Sequence, residues 1–373
     1  MFVKASTSVR FSLDTSTPLD GRSDVAAAAP GMFAARIPKV HLTDDDVVVF
    51  SYLVRQSSKL DLNGSALSSP TIPAEALDLF VFQDISDGWY GLSWARRLGP
   101  LGIGVSAFYS AVDYRQRLET KDMRIDSPGS AGSLSENLYY ALSCNRLIGK
   151  AGATWARGPV ALGATVTPPS LRLPGSSGTM SANRHWVYAD TSLSAEIATT
   201  RQENLDADYR EPWSVALGVR LETGRFELQA SAEQFGAVDR YDVLKVGGIA
   251  SQVPPQTYPL FITQRRESVF NFGAGASVKA NSWLSCFASA RTDHSYRPAG
   301  EPTFVGLGAY DLIHLTGGVG LSGSSFQVYL GAIYATGDAA MPITLSPLPA
   351  APTVTARTEF EQSGFVLAFN ASF

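Results

Sequence analysis

The chain has 373 residues, a formal net charge of −4 and 17% charged residues. The charged fraction lies below the roughly 25% that is typical of soluble domains. A net negative charge also gives no electrostatic footprint for nucleic acid. No run of the sequence reaches the roughly 18 consecutive apolar residues that a membrane-spanning helix requires. A membrane protein of this composition would cross the bilayer with strands.

Residues 1–46 lack the regular alternation that marks the rest of the chain. Helix-forming alanines in 24–38 are interrupted by Pro30 and Gly31, which predicts a short broken helix followed by an extended piece. We expect this N-terminal segment to be either a surface tail or a plug inside a barrel lumen. Lys4 is followed by no apolar stretch of the kind found in signal peptides. Since an outer-membrane barrel must be exported, we expect the signal to be missing from this sequence.

Strand patterns begin at Val47 and continue to the end of the chain. Phe50 and Tyr52 alternate with Ser51 and Leu53, and successive strand side chains point to opposite faces of a sheet. The last ten residues, 364–373, place their aromatic side chains on one face and mostly small or polar ones on the other. Such an alternating aromatic strand suits closure of a barrel in a bilayer.

Five strand pairs are each joined by a short turn rich in Gly, Pro, Asn or Ser, the residues that suit tight reversals. Longer polar loops separate these hairpins, and short turns at one end with long loops at the other are typical of outer-membrane barrels. Adding one strand at each end, and allowing a further hairpin within 136–150 or 185–211, predicts about twelve to fourteen antiparallel strands. The turns fall at Gly99-Pro100, Gly158-Pro159, Thr223-Gly224, Ala280-Asn281 and Gly323-Ser324.

Side chains that could carry catalysis or bind a metal are scattered. The sequence has no phosphate-binding loop and no Gly-x-Ser-x-Gly elbow. Cys144 and Cys286 are too far apart in sequence to suggest a metal motif. The run 293–295 reads Asp-His-Ser, but neighbouring strand residues face opposite ways, which makes a poor triad. We therefore predict no catalytic residue, no metal and no cofactor, and the histidines are isolated: His41, His185, His294 and His314.

Four stretches carry a family resemblance: 94–118, 152–178, 272–298 and 315–338. They resemble the outer-membrane transporters of long-chain fatty acids and hydrocarbons, the FadL-type family. The resemblance implies a fourteen-stranded barrel with an N-terminal plug. It further implies that hydrophobic ligands enter the lumen and leave sideways beside a kinked strand. The family's plug usually carries Asn-Pro-Ala, whereas the nearest match here is Ala29-Pro30-Gly31, without the asparagine.

An apolar cargo would need apolar side chains facing the lumen, against the polar-inside pattern of porins. Four candidates have the opposite parity to the apolar run beside them, and three more lie in the predicted plug, where flexible Met and aromatic side chains suit varied apolar ligands. Packing against a plug would explain any one of them equally well. The strand candidates are Leu53, Phe108, Phe287 and Ile333, and the plug candidates are Met32, Phe33 and Ile37.

The sequence thus predicts an all-β transmembrane barrel over 47–373 and a possible plug over 1–46. We expect a monomeric transporter of fatty acids or hydrocarbons in a bacterial outer membrane, in contact with its lipid and lipopolysaccharide. Three alternatives remain open: a general diffusion porin, an outer-membrane lipid hydrolase and a soluble β-rich secreted protein. A porin should show more lumen-facing charge than this low-charge chain offers.

Overall fold

The computed structural model describes residues 2–13, 19–38, 45–67, 74–127, 130–189, 194–253, 255–298, 310–344 and 353–371. His41 and the terminal Phe373 lie outside these ranges. The described residues contain no helix long and apolar enough to cross a membrane. They form strands instead, joined by turns and short extended links.

The first half of the chain holds the longest strands, several of which exceed twenty residues. They are β1 (Phe2–Leu13), β2 (Leu19–Pro30), β3 (Met32–Arg36), β4 (Asp46–Leu67), β5 (Ala74–Leu98), β6 (Leu101–Ser127), β7 (Ser130–Arg157), β8 (Val160–Thr167), β9 (Leu171–Arg172), β10 (Ser177–Ala189) and β11 (Ser194–Asp206).

The second half holds shorter strands, except for the last two. They are β12 (Ser214–Thr223), β13 (Phe226–Phe235), β14 (Val238–Leu244), β15 (Ile249–Val253), β16 (Pro255–Tyr258), β17 (Ile262–Arg266), β18 (Val269–Lys279), β19 (Leu284–Asp293), β20 (Asp311–Ser322), β21 (Phe326–Thr344) and β22 (Thr353–Ala371).

Antiparallel pairing closes the sheet on itself, because β22 pairs with β21 on one side and with β1 on the other. The wall is therefore a closed antiparallel barrel without a free edge, the architecture by which strands cross a bilayer. When each interrupted wall strand is counted once, the described wall strands form a closed ring of fourteen strands. The order is β1, β2 with β3, β4, β5, β6, β7, β8 with β10, β11 with β12, β13, β18, β19, β20, β21 and β22.

The N-terminal strands correct two predictions. Residues 2–13 and 19–36 form β1 to β3, which pair within the wall, so the predicted plug over 1–46 and the boundary at 46 are wrong. The broken helix predicted within 24–38 is also wrong, since Ala26 to Ala29 pair with Ser6 to Val3. Pairing across strands overrides the modest helix preference of alanine.

All five predicted short turns are present at one end of the barrel, which we call the turn end. Gly99, Gly158 and Gly224 adopt positive φ angles of 63°, 60° and 58°, a conformation that glycine reaches without steric cost. Above the turns, a belt of exposed apolar side chains surrounds the wall. It faces outward, as a bilayer-spanning surface requires, and includes Tyr90, Leu92, Val105, Leu162, Leu217, Phe226, Leu228, Phe272, Leu315, Leu330, Phe365 and Leu367.

The wall is taller on one side than on the other. Strands β5, β6 and β7 contain 25, 27 and 28 residues, although about 9–11 residues suffice to span a bilayer. Their far halves project beyond the apolar belt, where exposed outward positions are polar, as at Asp113, Arg115 and Arg117. We call the end of the barrel opposite the turn end, toward which these halves project, the loop end.

Two neighbouring wall strands are interrupted at the same height. One breaks between β8 and β10, where Pro168 and Pro169 can donate no backbone hydrogen bond, and the other breaks between β11 and β12. The breaks are bonded to each other: the Ser170 amide donates to the Glu211 carbonyl at 3.1 Å. The Glu211 amide donates to the Ser170 hydroxyl at 2.9 Å.

Residues 236–268, between β13 and β18, turn into the barrel, and we call them the mid-chain insert. Within it, β14 and β17 form a separate two-stranded sheet. Its side chains are buried in one apolar cluster with inward-facing side chains of the wall. Since the cluster combines insert and wall, the insert fills part of the lumen toward the loop end. The insert contributes Val243, Leu244, Ile249, Leu260 and Ile262, and the wall contributes Val112, Leu138, Tyr140, Leu142 and Met180.

Candidate functional site in the barrel lumen

An apolar patch lines the lumen on strands β4 to β7. Trp89, Phe108 and Ile148 are buried in one cluster, with Leu53 packed against it. The Trp89 and Phe108 ring centroids lie 5.6 Å apart, within the range of favourable aromatic contacts. These side chains share the inward face, because the outward positions beside them, such as Tyr90, belong to the exposed belt. The inward face is therefore apolar here, where a porin would place polar groups, and its side chains are packed closely against one another.

A buried ion pair lies beside this patch. The Arg146 side chain is 1% exposed, and its Nη2 lies 2.7 Å from Asp87 Oδ2. The other Asp87 oxygen accepts hydrogen bonds from the Ser110 hydroxyl at 2.7 Å and from Trp89 Nε1 at 3.0 Å. Both carboxylate oxygens are thus satisfied, which a charge removed from water requires.

A second carboxylate extends this pair into the mid-chain insert. Glu211 Oε2 lies 3.6 Å from Arg146 Nη1 and 3.4 Å from Arg266 Nη1. The Glu211 carboxylate therefore lies between a wall arginine and an insert arginine.

Aromatic faces cover the two guanidinium groups. The Tyr209 ring lies 5.2 Å from the Arg146 guanidinium carbon and 5.1 Å from that of Arg266. The Tyr296 ring lies 4.6 Å from Arg266. Such contacts stabilise cations that have lost part of their hydration. We call Asp87, Arg146, Glu211 and Arg266 the lumen charge cluster.

A polar cavity of about 280 Å³ lies next to the cluster, on its turn-end side. Trp89 lines it, with the Lys150 Nζ 5.6 Å from the indole. Lys150 also donates to the Thr167 hydroxyl at 3.2 Å. The cavity thus combines the Trp89 side chain of the apolar patch with charged side chains. The charged lining side chains are Arg55, Lys150, Glu211, Glu233, Arg291 and Asp293.

Arg55 reaches this cavity because of a β-bulge. The register of β4 against β5 shifts between Val54 and Gln56, leaving Arg55 as the extra residue. Before the bulge Leu53 stands opposite Trp89, and after it Gln56 stands opposite Asp87. Bulges re-aim side chains in this way, and here the inward positions change from odd to even numbers.

Two of the strand candidates fall in the apolar patch and two lie elsewhere. Leu53 and Phe108 belong to the patch. Phe287 faces inward on the opposite wall, where its ring lies over Gly318 and 6.2 Å from the Tyr329 ring. Ile333 also has the inward parity, since its neighbour Tyr334 is exposed in the belt.

The three candidates from the predicted plug lie in or beside wall strand β3. Met32 stands opposite the inward-facing Leu53, whereas Phe33 stands opposite Tyr52 and points outward, 57% exposed. The Ile37 amide donates to the Val48 carbonyl at 2.9 Å, near the turn end, and its side chain is half-buried. Of the three, Met32 alone has a register that places it beside the patch.

Sequence analysis missed the lumen charge cluster and two members of the patch, Trp89 and Ile148. One signal was available for the cluster. Arg146 shares its face of β7 with Tyr140, Leu142 and Ile148, so it interrupts an apolar row with a lone charge. A lone charge in such a row marks a buried, partnered group, but no sequence pattern identifies the partner.

The Asp-His-Ser run forms no triad. His294 Nδ1 lies 3.5 Å from Asp311, and the Ser295 hydroxyl accepts the Arg297 amide at 3.1 Å. No group of three or more possible metal ligands occurs among the described residues. Cys144 and Cys286 are free thiols, the first buried and the second exposed.

The fold and lumen define a transmembrane β-barrel whose interior is partly apolar and partly filled. Among solved structures, this chain is similar to a FadL homologue from Pseudomonas aeruginosa, with 11% identity, 100% of this chain and 89% of that chain covered, and a TM-score of 0.59. It is also similar to the Pseudomonas putida toluene transporter TodX, with 13% identity, 100% and 90% coverage, and a TM-score of 0.57.

A third similar structure is the Ralstonia pickettii toluene transporter TbuX, with 12% identity, 100% and 89% coverage, and a TM-score of 0.51. No protein-family model matches the chain, and no curated protein matches it. At such low identity the likeness shows the fold. The resemblance predicted from the sequence is confirmed at that level.

Proposed function

We propose that the protein carries hydrophobic small molecules, either long-chain fatty acids or hydrocarbons, across a bacterial outer membrane. The observation that carries the proposal is the inward-facing patch of Trp89, Phe108, Ile148 and Leu53. Apolar ligands bind in concave, largely apolar sites with a few placed polar groups. The patch and the neighbouring charged cavity together have that composition. Two similar structures are toluene transporters, which supports the same class of cargo.

Replacing Phe108 tests the patch. Phe108→Ala removes a buried inward-facing ring, and we expect binding of a hydrophobic ligand to weaken by roughly tenfold, about 1.4 kcal/mol. The matched control is Phe365→Ala, which removes a ring that is 73% exposed on the outer belt and should leave binding unchanged. Equilibrium binding of a labelled fatty acid and of toluene to the purified protein in detergent measures both. Equal affinity in both variants and in the unmodified protein would contradict the role of the patch.

A general diffusion porin is the second candidate, and the charged lining of the 280 Å³ cavity favours it. Proteoliposome swelling separates the two functions. A hydrophobic-cargo transporter should admit small sugars slowly, because the insert and the apolar cluster occupy part of the lumen. Rapid sugar entry without any hydrophobic binding would assign the protein to the porins.

The interrupted wall strands are our proposed exit route for cargo, as the resemblance implies. Leu171 lies in the first break and is 62% exposed. A bulky maleimide attached to Leu171→Cys should slow release of cargo into the lipid. The same label on Leu217→Cys, which is 59% exposed within β12 and away from the break, should not. Equal release rates would remove the exit from the proposal.

We further propose that the barrel is a monomer surrounded by outer-membrane lipid and lipopolysaccharide, and that it works without a cofactor. The support is the apolar belt, which faces outward around the wall. Fractionation of membranes on a density gradient tests the location. Light scattering in detergent tests the oligomeric state, and a dimer mass would contradict the monomer.

A further inference from the structure

The mid-chain insert is attached to the lumen wall in two ways. Its β15 pairs with wall strand β11, where Val253 stands opposite Ile197, whereas its β14 and β17 pair with each other and not with the large sheet. Backbone contacts reach β14 through the segment after β11, where Leu244 pairs with Ala207 and the Asp208 amide donates to the Val243 carbonyl at 2.9 Å. Displacing β14 and β17 would therefore leave the circle of wall strands intact.

Ion pairs of two kinds attach the insert to the wall. Lys245 Nζ lies 2.9 Å from Asp206 Oδ2 at the end of β11, but both side chains are exposed, and such pairs contribute little. The buried attachment passes through one carboxylate oxygen, since Glu211 Oε2 pairs with both the wall residue Arg146 and the insert residue Arg266. Arg146 retains Asp87 if Glu211 is lost. Arg266 then keeps only its contact with Gln264 and the rings of Tyr209 and Tyr296, and a buried charge without a counterion is costly.

We propose that the β14–β17 sheet of the mid-chain insert is a movable gate in the lumen, and that Glu211 is the latch that holds Arg266 of this sheet to Arg146 of the wall. An apolar cargo is the chemical class suited to open it. When the insert moves, wall side chains such as Leu138, Tyr140 and Met180 lose their apolar cover. A hydrophobic molecule in the lumen covers them again and so favours the open state.

The gate rests on the proposed function only for the identity of its cargo, so its test uses ions alone. Conductance of potassium chloride is measured for single proteins in planar lipid bilayers. Glu211→Gln removes the latch charge, and we expect the open fraction to rise by about tenfold or more. The matched control is Glu203→Gln on β11, whose carboxylate pairs with an exposed arginine, Arg201; it should conduct like the unmodified protein.

A reversible lock completes the test and covers the case in which a charge variant merely loosens the whole barrel. Ala207 directly follows wall strand β11 and is paired with Leu244 of the insert, a separation that suits a disulfide. Ala207→Cys and Leu244→Cys are added to Glu211→Gln, with Cys144→Ala and Cys286→Ser to remove the native thiols. We expect low conductance when oxidised and high conductance after reduction.

Two results would overturn the gate. One is a conductance of Glu211→Gln equal to that of the unmodified protein, which would show that the carboxylate does not keep the gate closed. The other is a conductance that stays high when the disulfide is formed, which would place the ion path away from the insert. Neither result depends on whether the protein binds fatty acids or hydrocarbons, so a failed gate and a failed transporter give different data.

Discussion

Arg146 shows how one residue sets the character of this lumen. It is among the largest fully buried side chains of the described residues, yet it lies on a face otherwise occupied by Tyr140, Leu142 and Ile148. The Asp87 carboxylate, the Ser110 hydroxyl and the Tyr209 ring replace the water that it lost. Its charge is tolerated because these partners are already in position.

Removing that charge should destabilise the barrel strongly. Arg146→Met keeps much of the side-chain volume but leaves Asp87 buried without its cation, which costs about 3–5 kcal/mol. Arg201→Met, at a side chain that is 78% exposed, should change the unfolding free energy by less than about 0.5 kcal/mol. Urea titration of the protein refolded into liposomes measures both. A loss below about 1 kcal/mol for Arg146→Met would show that water or another cation reaches Asp87.

At the scale of elements, the short turns depend on glycine in a specific way. Gly224 has a φ of 58°, where a side chain costs about 1–2 kcal/mol. Gly218 lies within β12, and a Cβ added there would meet nothing closer than a carbonyl oxygen at 3.7 Å. We expect Gly224→Ala to destabilise the barrel by about 1 kcal/mol and Gly218→Ala to be nearly neutral. The same urea titration checks the pair, and equal effects would contradict the turn argument.

The turns could be predicted from the sequence because their signals are local. The dipeptides Gly99-Pro100 and Gly158-Pro159 favour a tight turn by themselves, without contacts from distant parts of the chain. The alanines before Pro30 misled for the same reason: their local preference is helical, while their partners lie in β1. The mid-chain insert gave no recognisable pattern, since its apolar residues pack against strands far away in the sequence.

The alternation of inward and outward side chains along the strands predicted only some of the residues of the site. Leu53 and Phe108 were identified because their inward position contradicts the apolar belt beside them. Glu211 lies in a break between strands, where no alternation exists to interpret. Its pairing with Arg146 and Arg266 depends on how two broken strands and the insert meet in space.

For the whole molecule, closure of the sheet is the property with the clearest physical consequence. Strands β1 and β22 are paired along twelve residue pairs, so unfolding must open a ring with no free edge. We expect the folded protein to resist cold SDS and to change its electrophoretic mobility on boiling. A variant that lacks residues 353–371 cannot form the β1–β22 pairing and should show no such shift. An unshifted band for the complete chain would contradict a closed barrel.

The bulge at Arg55 carries a consequence for how this sequence can change over time. Because the inward positions of β4 are odd before the bulge and even after it, deletion of Arg55 alone would join Val54 to Gln56 in unbroken alternation and leave Leu60 inward. Deletion of Lys59 with the bulge kept would instead turn Leu60 outward and Asp61 toward the lumen. Descendants of this chain can therefore lose the bulge residue without exchanging the two faces of β4, whereas a one-residue deletion beyond the bulge would exchange the faces of all the residues that follow it.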